Sequence, residues 1–121
     1  MRNSRTRLFV DGVDVAPLVV ADRWAARARG MLARRPLPEA MWFVGERSVH
    51  GVGMTRALDV ALLDRDGVVV ATTVLHPFGA TRPRRGVVDV LEAPRGSFSR
   101  WGLRPGSTLV RTDGAHGAGR G

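Results

Sequence analysis

The chain has 121 residues, nineteen basic side chains against eleven acidic ones, a formal net charge of +8 and no cysteine. That length fits one domain whose core can stand without a disulfide or a metal staple. The missing cysteines exclude disulfides, iron–sulfur clusters, thiolate zinc sites and thiol nucleophiles, and they leave the redox compartment unread.

In chain order, the polar and basic residues 1–7 come first. They are followed only by Leu8, Phe9 and Val10 before Asp11 and Gly12, so the apolar run of about 7–15 residues that a secretion signal requires does not form. Leu8 and Val10, then Val13 and Val15 across Asp11-Gly12, predict two short strands joined by a tight turn. Leu18, Val19 and Val20 are expected to extend the second strand. Asp22 then caps a helix over 22–34, the main helix of the chain, because Trp24, Ala28, Met31 and Leu32 form one apolar stripe with Arg23, Arg27 and Arg34 opposite. Gly30 within it costs about 1 kcal/mol relative to Ala. Pro36 and Pro38 end the helix, residues 41–44 form a short apolar run, and residues 49–54, with Gly51 and Gly53, read as a thin strand or an irregular crossing.

Residues 58–63, Asp64-Arg65-Asp66-Gly67 and residues 68–75 predict strand, turn and strand, since Asp-Gly supplies the positive φ that a hairpin needs. The apolar stretch 68–75 is interrupted by Thr72 and Thr73 and is too short to span a membrane. Residues 76–86 read as a loop with Arg82, Arg84 and Arg85 as its charge run, and residues 87–91 as a strand. A short helix follows within 94–101 with Gly102 left-handed at its end, then a last strand over 107–111. The whole predicts one mainly β (α+β) domain over 1–111. Its expected form is a small curled sheet or barrel of seven to eight short strands with one main helix near 22–34, and a disordered Gly-rich tail over 112–121.

Several blocks resemble a known family. Gly30-Met31-Leu32-Ala33-Arg34-Arg35-Pro36-Leu37, Met41-Trp42-Phe43-Val44, Ser48-Val49-His50-Gly51-Val52-Gly53-Met54 with Leu58-Asp59-Val60-Ala61, Leu91-Glu92-Ala93-Pro94-Arg95-Gly96, and Gly102-Leu103-Arg104-Pro105-Gly106 follow in order. Together they are similar to the bacterial and archaeal family catalogued as domain of unknown function 192. Two departures stand out: Gly53-Met54-Thr55-Arg56-Ala57 replaces the Trp-Met-Lys-Asn-Thr of the common branch, and Met31-Leu32 inverts its Leu-Met. The resemblance implies a compact, largely β fold and no established activity.

All nineteen basic residues are arginine, while lysine, isoleucine and tyrosine are absent. That pattern belongs to G+C-rich coding rather than to phosphate recognition. The charge itself is divided: residues 1–35 carry a net +5, residues 36–70 a net −2 and residues 71–121 a net +5. Basic ends around a slightly acidic centre favour an anionic partner. Arg34, His50, Met54 and Asp59 are the candidate ligand-binding residues of a groove beside the helix. Asp59 also reads as a structural acceptor for backbone amides or an arginine, Arg34 among them. Arg82, Arg84 and Arg85 are the candidate contact surface.

Ser48, His50 and Asp59 supply the residue types of a hydrolase triad, but no Gly-x-Ser-x-Gly elbow accompanies them. His50, His76 and His116 lack metal-ligand spacing, so neither a metal nor a cofactor is expected. Gly51-Val52-Gly53 lacks the third glycine and following helix of a dinucleotide loop. The sequence therefore reads as a cytoplasmic, non-catalytic binding domain for a small anionic ligand or an acidic partner segment. A small hydrolase using His50 and Asp59 is the alternative, and weak nonspecific nucleic-acid binding through the arginines comes third.

Overall fold

The computed structural model describes residues 6–21, 38–49, 56–77 and 79–112. Strands β1 (Arg7–Val10) and β2 (Val13–Pro17) form the expected hairpin. Its turn is left-handed at both central residues, Asp11 at φ 49° and Gly12 at φ 86°, the geometry whose twist matches the flanking strands. β3 (Val19–Ala21) does not extend β2 as expected. Pro17 has no N–H to continue the ladder. The chain then leaves the first sheet at Leu18, whose N–H donates to the Thr6 carbonyl, and Val19 donates to the Ala40 carbonyl instead.

The remaining strands are β4 (Met41–Val44), β5 (Leu58–Leu63), β6 (Val69–Leu75), β7 (Asp89–Pro94) and β8 (Leu109–Arg111), with one short helix, α1 (Ser97–Trp101), between the last two. They build two sheets, ordered β2-β1-β8 and β3-β4-β7-β5-β6, and β3 with β4 is the one parallel pair among the described strands. Of the two forms expected, barrel and curled sheet, the described strands do not make a closed barrel. The sheets join at one corner, where Val68 bridges Thr108, Leu109 donates to the Gly67 carbonyl and Val69 to that of Ser107.

The β5–β6 hairpin and its turn are as expected, with Gly67 at φ 82°. The strand expected over 87–91 instead runs Asp89–Pro94. Val87 is held in a turn by the Arg84 carbonyl, and Pro94 is tolerated at the strand end, past the point where β4 runs alongside. The last helix starts only at Ser97, between left-handed glycines 96 and 102. The expected main helix over 22–34 and the crossing at 50–54 lie outside the described residues.

Alternation along the strands of the large sheet divides the core in two. Trp42, Ala61, Leu63, Leu91 and Ala93 face the small sheet, where Leu8, Val10 and Leu109 meet them together with Phe98 of α1. Met41, Phe43, Leu58, Val60, Leu62 and Val90 occupy the opposite face, packed with Val87 from the β6–β7 loop and with Val49.

Candidate functional site

Asp59 lies in β5 and belongs to the face that meets the small sheet, with Ala93 of β7 and Val74 of β6 beside it. It is 4% exposed, and its carboxylate is fully engaged. Oδ2 accepts the N–H groups of Gly96 and Phe98, each at 3.0 Å, and Oδ1 meets Arg95 Nη1 at 3.3 Å. The first N–H groups of a helix have no partner within it, so Asp59 satisfies from a neighbouring strand what a capping side chain supplies elsewhere. Arg95 is more than half exposed, so the ion pair adds little beside the two amides. Asp59 thus has the structural role read for it, with Arg95 as its arginine partner among the described residues.

Arg34, His50 and Met54 lie outside the described residues, so the groove and triad expected around them are not placed. Ser48 is described and half-buried, and His76 is exposed. No group of three or more His, Asp or Glu side chains positioned to hold a metal occurs among the described residues.

Arg82, Arg84 and Arg85 are exposed together on the β6–β7 loop. Hydrogen bonds hold that loop in place. Thr81 N–H donates to the Val49 carbonyl at 2.9 Å, Val49 N–H to Thr81 Oγ1 at 2.9 Å, and Val88 N–H to the Leu63 carbonyl at 2.9 Å. The three guanidinium groups have no carboxylate partner among the described residues. By contrast, Arg7 pairs with Asp14 at 2.9 Å, and Arg111 lies over the Trp42 ring, 5.1 Å from its centroid. Trp42 in turn donates its indole N–H to Asp89 at 3.0 Å.

One polar residue was not singled out from sequence. Glu92, in the central strand β7, is 4% exposed and lies on the opposite face from Asp59, between Met41 and Val60. Burial among apolar neighbours pushes its carboxyl up to about 7. The available signal was its place in a strand flanked on both sides, where neither face is left to water.

The sequence model of the family described as uncharacterised ACR, domain of unknown function 192, matches residues 7–110. A UPF0127 protein of Pyrococcus furiosus is 31% identical over 94 residues, covering 74% of this chain and 81% of the relative. A UPF0127 protein of Pyrococcus abyssi is 32% identical over 84 residues, covering 64% and 70%. Two crystal structures share the fold. A protein of unknown function from Novosphingobium aromaticivorans superposes with a TM-score of 0.70 at 23% identity, over 85% of this chain and 82% of that one. A candidate transcription regulator from Sinorhizobium meliloti does so with a TM-score of 0.70 at 23% identity, over 86% and 89%.

Proposed function

The chain belongs to the uncharacterised family of domain of unknown function 192, and from that premise we propose that it is a non-catalytic, cytoplasmic binding domain whose partner is an acidic protein segment. The observation that carries this reading is the Arg82, Arg84 and Arg85 cluster, three exposed guanidinium groups without carboxylate partners among the described residues, on a loop held by backbone hydrogen bonds. A loop backbone already held in place loses less entropy on pairing than a free segment does, and the net charge of +8 draws an anionic partner toward it.

The engagement of Asp59 with Gly96, Phe98 and Arg95 weighs against the hydrolase reading, because a carboxylate occupied by two amides is not available to orient His50. It also moves the weight of the binding reading from the groove of Arg34, His50, Met54 and Asp59 to the exposed loop.

Each exposed pair contributes about 0.2–1 kcal/mol, so three together give roughly tenfold in affinity. A fluorescein-labelled hexaglutamate peptide is expected to bind the purified chain in low salt by anisotropy, and the Arg82→Glu/Arg84→Glu/Arg85→Glu variant to lose that binding by about tenfold or more. Equal binding by the variant, tighter binding to duplex DNA than to the peptide, or equal competition by citrate would each overturn the acidic-segment reading. Cell fractionation checks the cytoplasmic setting.

A further inference from the structure

Among the described strands the two open sheets end in four edges, at β2, β8, β3 and β6. An edge strand presents unpaired N–H and C=O groups, and proteins guard such edges with charge, proline or brevity. Three of the four are guarded in this way. β2 carries Asp14 and Pro17, and β3 and β8 are three residues each, with Arg111 on β8. β6, Val69-Val70-Ala71-Thr72-Thr73-Val74-Leu75, is the longest of the described strands, is rich in β-branched residues, and holds neither a charge nor a proline.

The outer side of β6 is already used at one end. Val69 N–H donates to the Ser107 carbonyl, and the Val69 carbonyl accepts the Gly106 N–H, each at 2.9 Å. Beyond Val69 that pairing stops: β5 is the neighbour of β6 on one side, and no described strand lies on the other. Thr73, in the middle of this stretch, is exposed, and residues 70–72 and Val74 are half-buried, whereas β5 behind them is buried throughout.

We propose that the β6 edge from Val70 to Leu75 takes an extended acidic segment of a partner protein as a sixth strand of the large sheet. This rests on the acidic-segment reading above and states how the segment is held: its backbone hydrogen-bonds to β6, and its acidic side chains meet the arginines of the following loop.

The topology brings those arginines alongside β6. β6 and β7 both run antiparallel to β5, hence parallel to each other, so the loop between them returns along the length of β6. It leaves at Leu75 and comes back to the level of Val69, because Val88 donates to the Leu63 carbonyl and Leu63 pairs with Val69. Val87 and Ala71 belong to one apolar cluster, so the loop crosses the face of the sheet on which Ala71, Thr73 and Leu75 stand. Alternate side chains of an added strand point to that same face. A segment with acids at every second position therefore presents them to the side that bears the exposed Arg82, Arg84 and Arg85, over about 20 Å for six residues. A second copy of the chain suits this edge less well, since it brings a further +8 and its own three arginines to a side that is already positive.

The test is anisotropy of the full chain in low salt with a fluorescein-labelled Val-Glu-Val-Glu-Val-Glu peptide and two versions of it, one N-methylated at every Val and one at every Glu. N-methylation keeps the charges and removes the backbone donors from one edge of the peptide strand. The parent peptide is expected to bind, one methylated version to lose about tenfold or more in affinity, and the other to stay within about threefold of the parent. Hydrogen exchange gives a readout on the unaltered chain: alternate amides of residues 70–75 exchange fast in the free chain and slow by about tenfold or more with the parent peptide bound. If hexaglutamate binds but the two methylated peptides behave alike, or the alternating peptide does not bind, strand addition is overturned and the acidic-segment reading stands. If neither hexaglutamate nor the alternating peptide binds, both fall. Protection of all the amides of residues 70–75 before peptide is added, whether the chain sediments as a monomer or as a dimer, shows an edge already filled and overturns the proposal.

Discussion

Asp59 and Glu92 are both 4% exposed acids on adjacent central strands, and their chemistry diverges because they sit on opposite faces. Asp59 faces the start of α1 and holds two backbone N–H groups, whereas Glu92 faces hydrocarbon. Truncating Asp59 removes the acceptor for both amides at once, and the Phe98 amide is buried. Asp59→Ala is therefore expected to lower stability by roughly 2–4 kcal/mol in urea denaturation, while Asp59→Asn, whose one carbonyl oxygen can still accept both N–H groups that meet Oδ2, is expected to lose clearly less. Equal losses for the two variants would show that the amides are not what the side chain supports. Asp59 was legible as a structural acceptor because a carboxylate in an apolar strand needs a donor. Its partners at Arg95, Gly96 and Phe98 were not, since they lie more than thirty residues away and meet it only once β5 and β7 pair.

At the scale of elements, the two tight hairpins were readable because Asp-Gly encodes positive φ locally, and both Gly12 and Gly67 adopt it. Their tolerance to a side chain differs for reasons outside the hairpins. A Cβ on Gly12 meets nothing within 4 Å, but on Gly67 it lies 2.6 Å from the Leu109 carbonyl oxygen, where the hairpin meets β8. Gly12→Ala is expected to cost about 1–2 kcal/mol, the left-handed strain alone, and Gly67→Ala roughly 2–5 kcal/mol, by thermal unfolding of both variants. Similar costs would mean that the corner between the sheets gives way easily. Strand ends were less legible than turns. Pro17 ends β2, and from Val19 the chain runs in the other sheet, while Pro94 closes β7 instead of opening the helix; a proline marks an end without saying which sheet the chain enters next.

For the molecule as a whole, the pH dependence of stability follows from which acids fold into unfavourable surroundings. Glu92 is raised from 4.5 to about 7 by burial, so the folded chain keeps a proton that the unfolded chain has released. Its contribution is fully present below about pH 4.5, declines as pH rises and is lost above about pH 7, a span of roughly 3 kcal/mol. Asp11 acts in the other direction: hydrogen bonds from Thr108 and Ser107 hold its carboxyl below the usual range, so its contribution is lost only as the solution becomes strongly acidic. Urea midpoints of the wild type are expected to fall between pH 4.5 and pH 7, and those of Glu92→Gln to be flatter over that window; parallel profiles would show that Glu92 does not govern it. The sequence by itself determined the mainly β class, the hairpins, the glycine-bounded last helix and the family, because turns, alternation and motif order act over a few residues. Tertiary structure alone decided that the strands divide into two open sheets, that Asp59 is spent on the start of α1, and that Glu92 lies in hydrocarbon. Each of these depends on which distant strand becomes a neighbour and therefore on which side chains lose their water.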